Sequence, residues 1–164
     1  MTFCKFFDTQ FFFSSSSTLT IFLKALALII LYALLWNSIL SYFNVEGIDN
    51  ETVKEFSGVI KVLLIFMVAP VTETLLFQSL IIFLVLEYYR KRNKYYVAII
   101  MSTILFSLTH IFSIYYFLYA IGLGLGFAIF YVIMQRRKSN PIILTMLLHA
   151  SFNATGYFLS PLFE

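Results

Sequence analysis

Residues Ala69 to Leu80 read APVTETLLFQSL. They lie in the middle of an apolar run from about Gly58 to Leu86. A glutamate, two threonines and a glutamine in such a run are cheap on a water-facing surface and costly in lipid. Which surroundings the run has decides the fold, and the composition answers. The chain has 164 residues, of which 61% are hydrophobic and only 12% charged, with a mean hydropathy of +0.91. A soluble domain of this length cannot hide that much apolar surface, so the chain reads as an all-α, polytopic membrane helical bundle in a lipid bilayer.

Working outward from the run gives about five transmembrane helices: Ile21 to Phe43, Gly58 to Leu86, Val97 to Phe112, Tyr115 to Met134 and Pro141 to Leu159. At ~1.5 Å of rise per residue these match a hydrocarbon core of ~30 Å, the third being the shortest. Residues 1–20, aromatic and serine-rich, read as an interfacial segment, and 21–164 as a single membrane domain. The first apolar stretch is too long for the apolar region of a cleaved signal, and no small-residue cleavage site is seen. The loop NVEGIDNETVKEF is acidic, whereas EYYRKRNKYY and QRRKSN are basic. By the positive-inside rule the basic loops are cytoplasmic, with the N-terminus inside and the C-terminus outside. The net charge of +3 is thus a topology signal and not a nucleic-acid patch. The single cysteine, Cys4, rules out an internal disulfide framework and reads as a plain thiol.

Gly122 to Phe127, GLGLGF, resembles a nucleotide loop only on paper, because no strand precedes it. Gly122 and Gly126 read instead as a GxxxG pair that admits a second helix, a possible homodimer contact included. Asn153-Ala-Thr155 matches a glycosylation sequon but lies inside a span.

The chemistry-bearing residues are few. The chain has two histidines, His110 and His149, both read as within spans, and Glu73 is the only acid deep in one. Each alone reads as well as an interhelical hydrogen bond or a protonated packing residue. Depth brings them together. Counted from the nearest basic loop, Glu73 lies about 25 Å along its helix, His110 about 24 Å and Asn153 about 23 Å, with His149 one turn lower. Spacings of four put His149 and Asn153, Phe106 and His110, and Thr74 and Gln78 on shared helix faces.

Burial disfavours the charged form of a carboxylate, which suits a general base acting on water. An asparagine amide and a histidine can donate to a developing oxyanion. Glu73, His110, His149 and Asn153 therefore read as a hydrolytic site with no required cofactor. The alternative is zinc held by Glu73, His110 and His149, as in other His2Glu sites. Asparagine is a poor zinc ligand, which favours the metal-free reading.

Together APVTETLLFQSL, LFSLTHIF and LLHASFN resemble the three motifs of the CAAX prenyl protease and bacteriocin-processing (CPBP, Abi) family of membrane proteases, over about Val68 to Phe158. The resemblance implies endopeptidase activity on a membrane-associated peptide or protein. Glu73 and His110 would activate water, and His149 and Asn153 would form the oxyanion hole. The first motif departs from the family pattern. Thr74 stands for its second glutamate, Gln78 for its arginine and Ser79 for a usual glycine. Losing both charges together avoids an unpaired buried ion, and a Thr74–Gln78 hydrogen bond is the expected substitute. Phe106 matches the second motif as a supporting residue. A prokaryotic cell-membrane protein is expected. Two other readings stand beside the enzyme: a non-catalytic family member acting in bacteriocin immunity or as a membrane scaffold, and a small proton-coupled transporter. The repeated halves common in transporters are not seen in the sequence.

Overall fold

The computed structural model describes residues 16–45 and 58–159. Cys4, most of the N-terminal segment and the acids of the first loop lie outside the described residues. The described residues form five helices and no strand. These are α1 (Thr18–Tyr42), α2 (Gly58–Tyr88), α3 (Lys94–Leu108), α4 (Ile114–Arg136) and α5 (Pro141–Leu159).

Local chemistry sets the helix ends. The Ser17 and Ser113 hydroxyls accept from the Thr20 and Tyr116 amides, capping α1 and α4. Asn140 accepts from the Ile143 amide, and Pro141 fills the first position of α5, where no N–H is needed. Asn44 and Lys138 take left-handed backbone just past α1 and α4, which stops both helices.

Helices α1, α2 and α4 are each long and apolar enough to cross a membrane. The third expected span differs from the outcome. Its helix starts at Lys94 and stops at Leu108, and residues 109–112 are turn. Polar side chains redirect the backbone there. The Ser107 hydroxyl donates to the Thr103 carbonyl, and the Thr109 hydroxyl and amide both donate to the Phe106 carbonyl. The amide of His110 then reaches back only three residues, to Ser107. This is a tightened last turn that releases the chain.

Helix α2 is not uniform. It widens to π geometry at Leu64–Val68 and again at Thr74–Leu80. Pro70 accounts for the first widening. The Ala69 amide bonds five residues back, to Leu64. The next bond in that register would come from residue 70, which has no N–H, so the Ile65 carbonyl is left open. The buried residues of α2 are Pro70, Thr74, Gln78 and Ile82, every fourth position. On an ideal α-helix a spacing of four drifts by about 40° per step. The wide turns cancel that drift and keep one straight stripe against the bundle.

Helix α4 is central and packs on α1, α3 and α5. A Cβ at Gly124 would stand 2.8 Å from the Phe106 ring of α3, while one at Gly122 would run into Tyr32 and one at Gly126 would press on Ile29. The GxxxG face is therefore taken by α1 of the same chain, and the Tyr32 hydroxyl adds hydrogen bonds to the Leu118 and Tyr119 carbonyls. A homodimer would have to use another face. One apolar cluster gathers Ile21, Ile29, Phe106, Phe127, Phe130 and Leu148. A second, against α2 and α3, gathers Ile82, Ala98, Ile99, Ala128, Tyr131 and Val132, with Ile142 packed against it. Large side chains such as Leu28, Leu31, Leu35, Phe83 and Ile104 face outward, as lipid-facing residues do.

Candidate functional site

Three of the expected residues meet. Oε2 of Glu73 lies 3.8 Å from Nε2 of His149 and 4.0 Å from Nε2 of His110. Three helical segments deliver them: the second wide turn of α2 begins one residue after Glu73, His149 sits in α5, and His110 lies on the turn after α3. The side chains are 22%, 6% and 15% exposed for Glu73, His149 and His110, but the Oε2 atom that faces the histidines is itself buried and has no hydrogen-bond partner.

The two imidazoles are held differently. Nδ1 of His110 lies 2.9 Å from the Phe106 carbonyl and 3.0 Å from the Thr109 hydroxyl. A carbonyl oxygen only accepts, and the Thr109 hydroxyl already donates to that same carbonyl. The ring proton of neutral His110 is therefore assigned to Nδ1, which turns a bare Nε2 lone pair toward Glu73. The ring lies tilted against Phe106 at 4.7 Å and stacks with Tyr116 at 5.6 Å between centroids. His149 is buried, stacks on Phe127 at 4.4 Å and meets the edge of Phe106. Its Nδ1 has no protein partner. Phe106 thus touches both histidines, which gives its supporting position a physical content. Tyr116 and Phe127 are aromatic neighbours that sequence reading missed. In a chain that is 20% aromatic, nothing marks two rings out.

Asn153 does not join this group directly. Its Nδ2 donates to the Ile65 carbonyl at 2.9 Å, the carbonyl that Pro70 leaves open. Ile65 precedes Glu73 by eight residues, about 12 Å of helix rise, and it is there that the Asn153 side chain is tied to α2. An amide has two N–H groups, and one remains for other work.

Thr74 and Gln78 are fully buried, but the expected hydrogen bond between them is absent. The Thr74 hydroxyl and both Gln78 amide atoms have no protein partner. The stripe they share is pressed against the facing helices, and the short hydroxyl does not reach the amide. Ser79 receives the Tyr131 hydroxyl at 3.3 Å.

Zinc would bring its donors to about 3.3 Å from one another at tetrahedral angles. The separations here are wider. Among the described residues no group of three or more His, Cys, Asp or Glu side chains is arranged to hold a metal ion.

A family model described as type II CAAX prenyl endopeptidase Rce1-like matches residues 55–155. That is well over half the chain, running from the approach to α2 to the end region of α5 and leaving α1 outside. No curated protein and no solved structure matches the chain. The matched stretch contains Glu73, His110, His149 and Asn153, and on this match the chain belongs to the Rce1-like family of type II CAAX prenyl endopeptidases, a family of membrane proteases.

Proposed function

We propose that the chain is an intramembrane endopeptidase that hydrolyses a peptide bond of a membrane-associated peptide or protein, with Glu73 as general base. The observation that carries this reading is the convergence of Glu73 on two histidine Nε2 atoms at 3.8 and 4.0 Å. A water seated between Glu73 and His110 donates one hydrogen to the carboxylate and the other to the bare Nε2. Its lone pair is then free to attack a substrate carbonyl. As it attacks, Glu73 takes the proton and later passes it to the leaving amine. His149, with its proton on Nε2, and the second amide hydrogen of Asn153 are the donors for the oxyanion. No step uses a metal. The Phe106, Tyr116 and Phe127 rings hold the imidazoles and keep bulk water out.

The helix directions support a common end for the basic loops, since an Arg137 N–H donates to the Ser16 carbonyl and joins the start of α1 to the end of α4. With those loops cytoplasmic, the carboxylate lies past midplane toward the outer leaflet.

The test is cleavage of a panel of membrane peptides by protein reconstituted in liposomes. Cleavage that survives a chelator and is lost in Glu73→Gln supports the reading; cleavage lost to chelator and restored by zinc overturns it. A non-catalytic immunity or scaffold role is favoured by one observation, the uncharged and unpaired Thr74 and Gln78. Wild-type protein that cuts nothing in the panel while Glu73→Gln still performs the cellular role would establish that second reading.

A further inference from the structure

Gln78 is the most unusual buried residue outside the carboxylate group. Its amide is fully enclosed, yet neither its oxygen nor its nitrogen has a partner. It is not alone. Thr74 on α2, Ser102 and Thr103 on α3, and Thr145 on α5 are buried hydroxyls with no partner, and His149 Nδ1 is a buried nitrogen with none. Buried polar groups in folded proteins are nearly always bonded to protein or to ordered water.

The packing puts these groups in the zone between the carboxylate layer and the Ile82 cluster. Helix α2 runs antiparallel to α3 and to α5. Above the cluster Glu73 meets His149 and His110; below it Ile82 packs with Ala98, Ile99 and Ile142. Gln78 lies midway between Glu73 and Ile82. Thr145 lies midway between His149 and Ile142, and Ser102 and Thr103 lie between His110 and Ile99. The wide turn Thr74–Leu80 packs directly on both α3 and α5, and Thr74 and Gln78 are its buried residues.

A second observation separates these hydroxyls from others in the bundle. Four other helical hydroxyls fold back onto their own helices. Ser38 donates to Leu34, Thr72 to Val68, Ser107 to Thr103 and Thr155 to Ser151. Back-bonding of this kind is the ordinary resort of serine and threonine in an apolar helix. Thr74, Ser102, Thr103 and Thr145 do not use it. Their hydroxyls are left for something shared.

We propose that Thr74, Gln78, Ser102, Thr103 and Thr145 enclose an internal water-binding site beneath Glu73, continuous with the carboxylate layer and closed on the basic-loop side by the Ile82 cluster. The ligand is water. Six side-chain atoms and His149 Nδ1, at about three bonds per molecule, hold about two waters. Helical side chains lean toward the N-terminus, so the His149 ring overhangs Thr145, and water bound at Thr145 reaches Nδ1. A water donating to Nδ1 keeps the ring proton on Nε2, the atom that faces Glu73. This tautomer role rests on the proposed function; the water site itself does not. In a hydrocarbon setting such a site also gives the carboxylate a retained supply of the second reactant.

The experiment uses full-length protein in nanodiscs, labelled with nitrogen-15 in glutamine and histidine. Magnetisation transfer from water to the Gln78 side-chain amide is expected, despite its burial, together with a His149 nitrogen signature of the Nε2–H form. Thr145→Val should move the His149 signature toward a tautomer mixture. Gln78→Leu gives an independent arm through the sign of its effect on thermal stability. With water present, the change strips partners from bound water and Tm falls. With a dry interior, it removes an orphaned amide and Tm rises. No water contact at Gln78 and a raised Tm would overturn the site. Water contact with an unmoved His149 signature in Thr145→Val would overturn the tautomer role. Neither readout depends on peptide cleavage, so a failed protease assay and a failed water site are told apart.

Discussion

Helices α1 and α2 are near twins by composition and opposites in what they bury. Their mean hydropathies are 2.3 and 2.1, and in each only 11% of the most apolar 18-residue stretch is buried. α1 spends its contacts on Ile21, Ile29 and Leu40 and on glycines of α4. α2 buries Pro70, Thr74, Gln78 and Ile82, with Glu73 beside them. The family match leaves α1 out and takes α2 whole. A membrane helix is thus not characterised by how much of it is hidden. In lipid there is little hydrophobic gain from burying one more leucine, so the hidden stripe is free to carry polar groups, provided that each finds a partner.

The contrast can be broken most directly at Glu73. Glu73→Gln should lower cleavage of a membrane peptide by about 10²–10⁴-fold, the usual worth of a general base, with the melting curve retained; unchanged cleavage would end the functional reading. Next is a charge placed in the α2 stripe. Thr74→Glu should destabilise by about 3–5 kcal/mol, the cost of an unpaired buried ion. Adding Gln78→Arg should recover most of it in a thermal melt, and a double variant no better than the single would show that the two positions are not a pair. Asn153→Leu should cost about 1–3 kcal/mol by orphaning the Ile65 carbonyl, a loss measurable by denaturation in detergent. On α1 the seam can be forced with Gly126→Ala, where the Ile29 side chain must give way; about 1–3 kcal/mol is expected, with the activity per folded molecule little changed. Smallest of all, Leu28→Ala on the outward face of α1 should lie within about 0.5 kcal/mol of wild type.

Much of this was legible in the sequence, and the parts that were not have identifiable causes. Glu73, His110 and His149 stand out because an ionisable residue in an apolar run has few cheap explanations. That they meet follows from counting residues to the basic loops. The turn at Thr109 and His110 was not legible, because LFSLTHIF keeps its hydropathy while its hydroxyls and carbonyls redirect the backbone. The two wide turns of α2 were not either. Pro70 announces a disturbance but not which way the helix yields. Asn153 was read as an oxyanion donor beside His149; its tie to the Ile65 carbonyl was not legible, because that carbonyl is open only through the same disturbance. The Thr74–Gln78 bond was inferred as a neutral substitute for the family's ion pair one turn apart, and that spacing says that two residues share a face, not that their atoms meet.

The wide turn at Thr74–Leu80 has one more consequence. It holds a surplus residue, and a surplus can be withdrawn. Deleting one outward position there, such as Leu76, would return the segment to ordinary α pitch and rotate everything before it by about 100°. Ile82 and the helix below would keep their seats, while Glu73 would swing off the histidines. The angular position of the carboxylate is therefore set by a local insertion, whose removal would shift its depth by only about 1.5 Å. A helix built in this way can have its carboxylate re-aimed by a single-codon change in length, with no substitution of any residue that touches it.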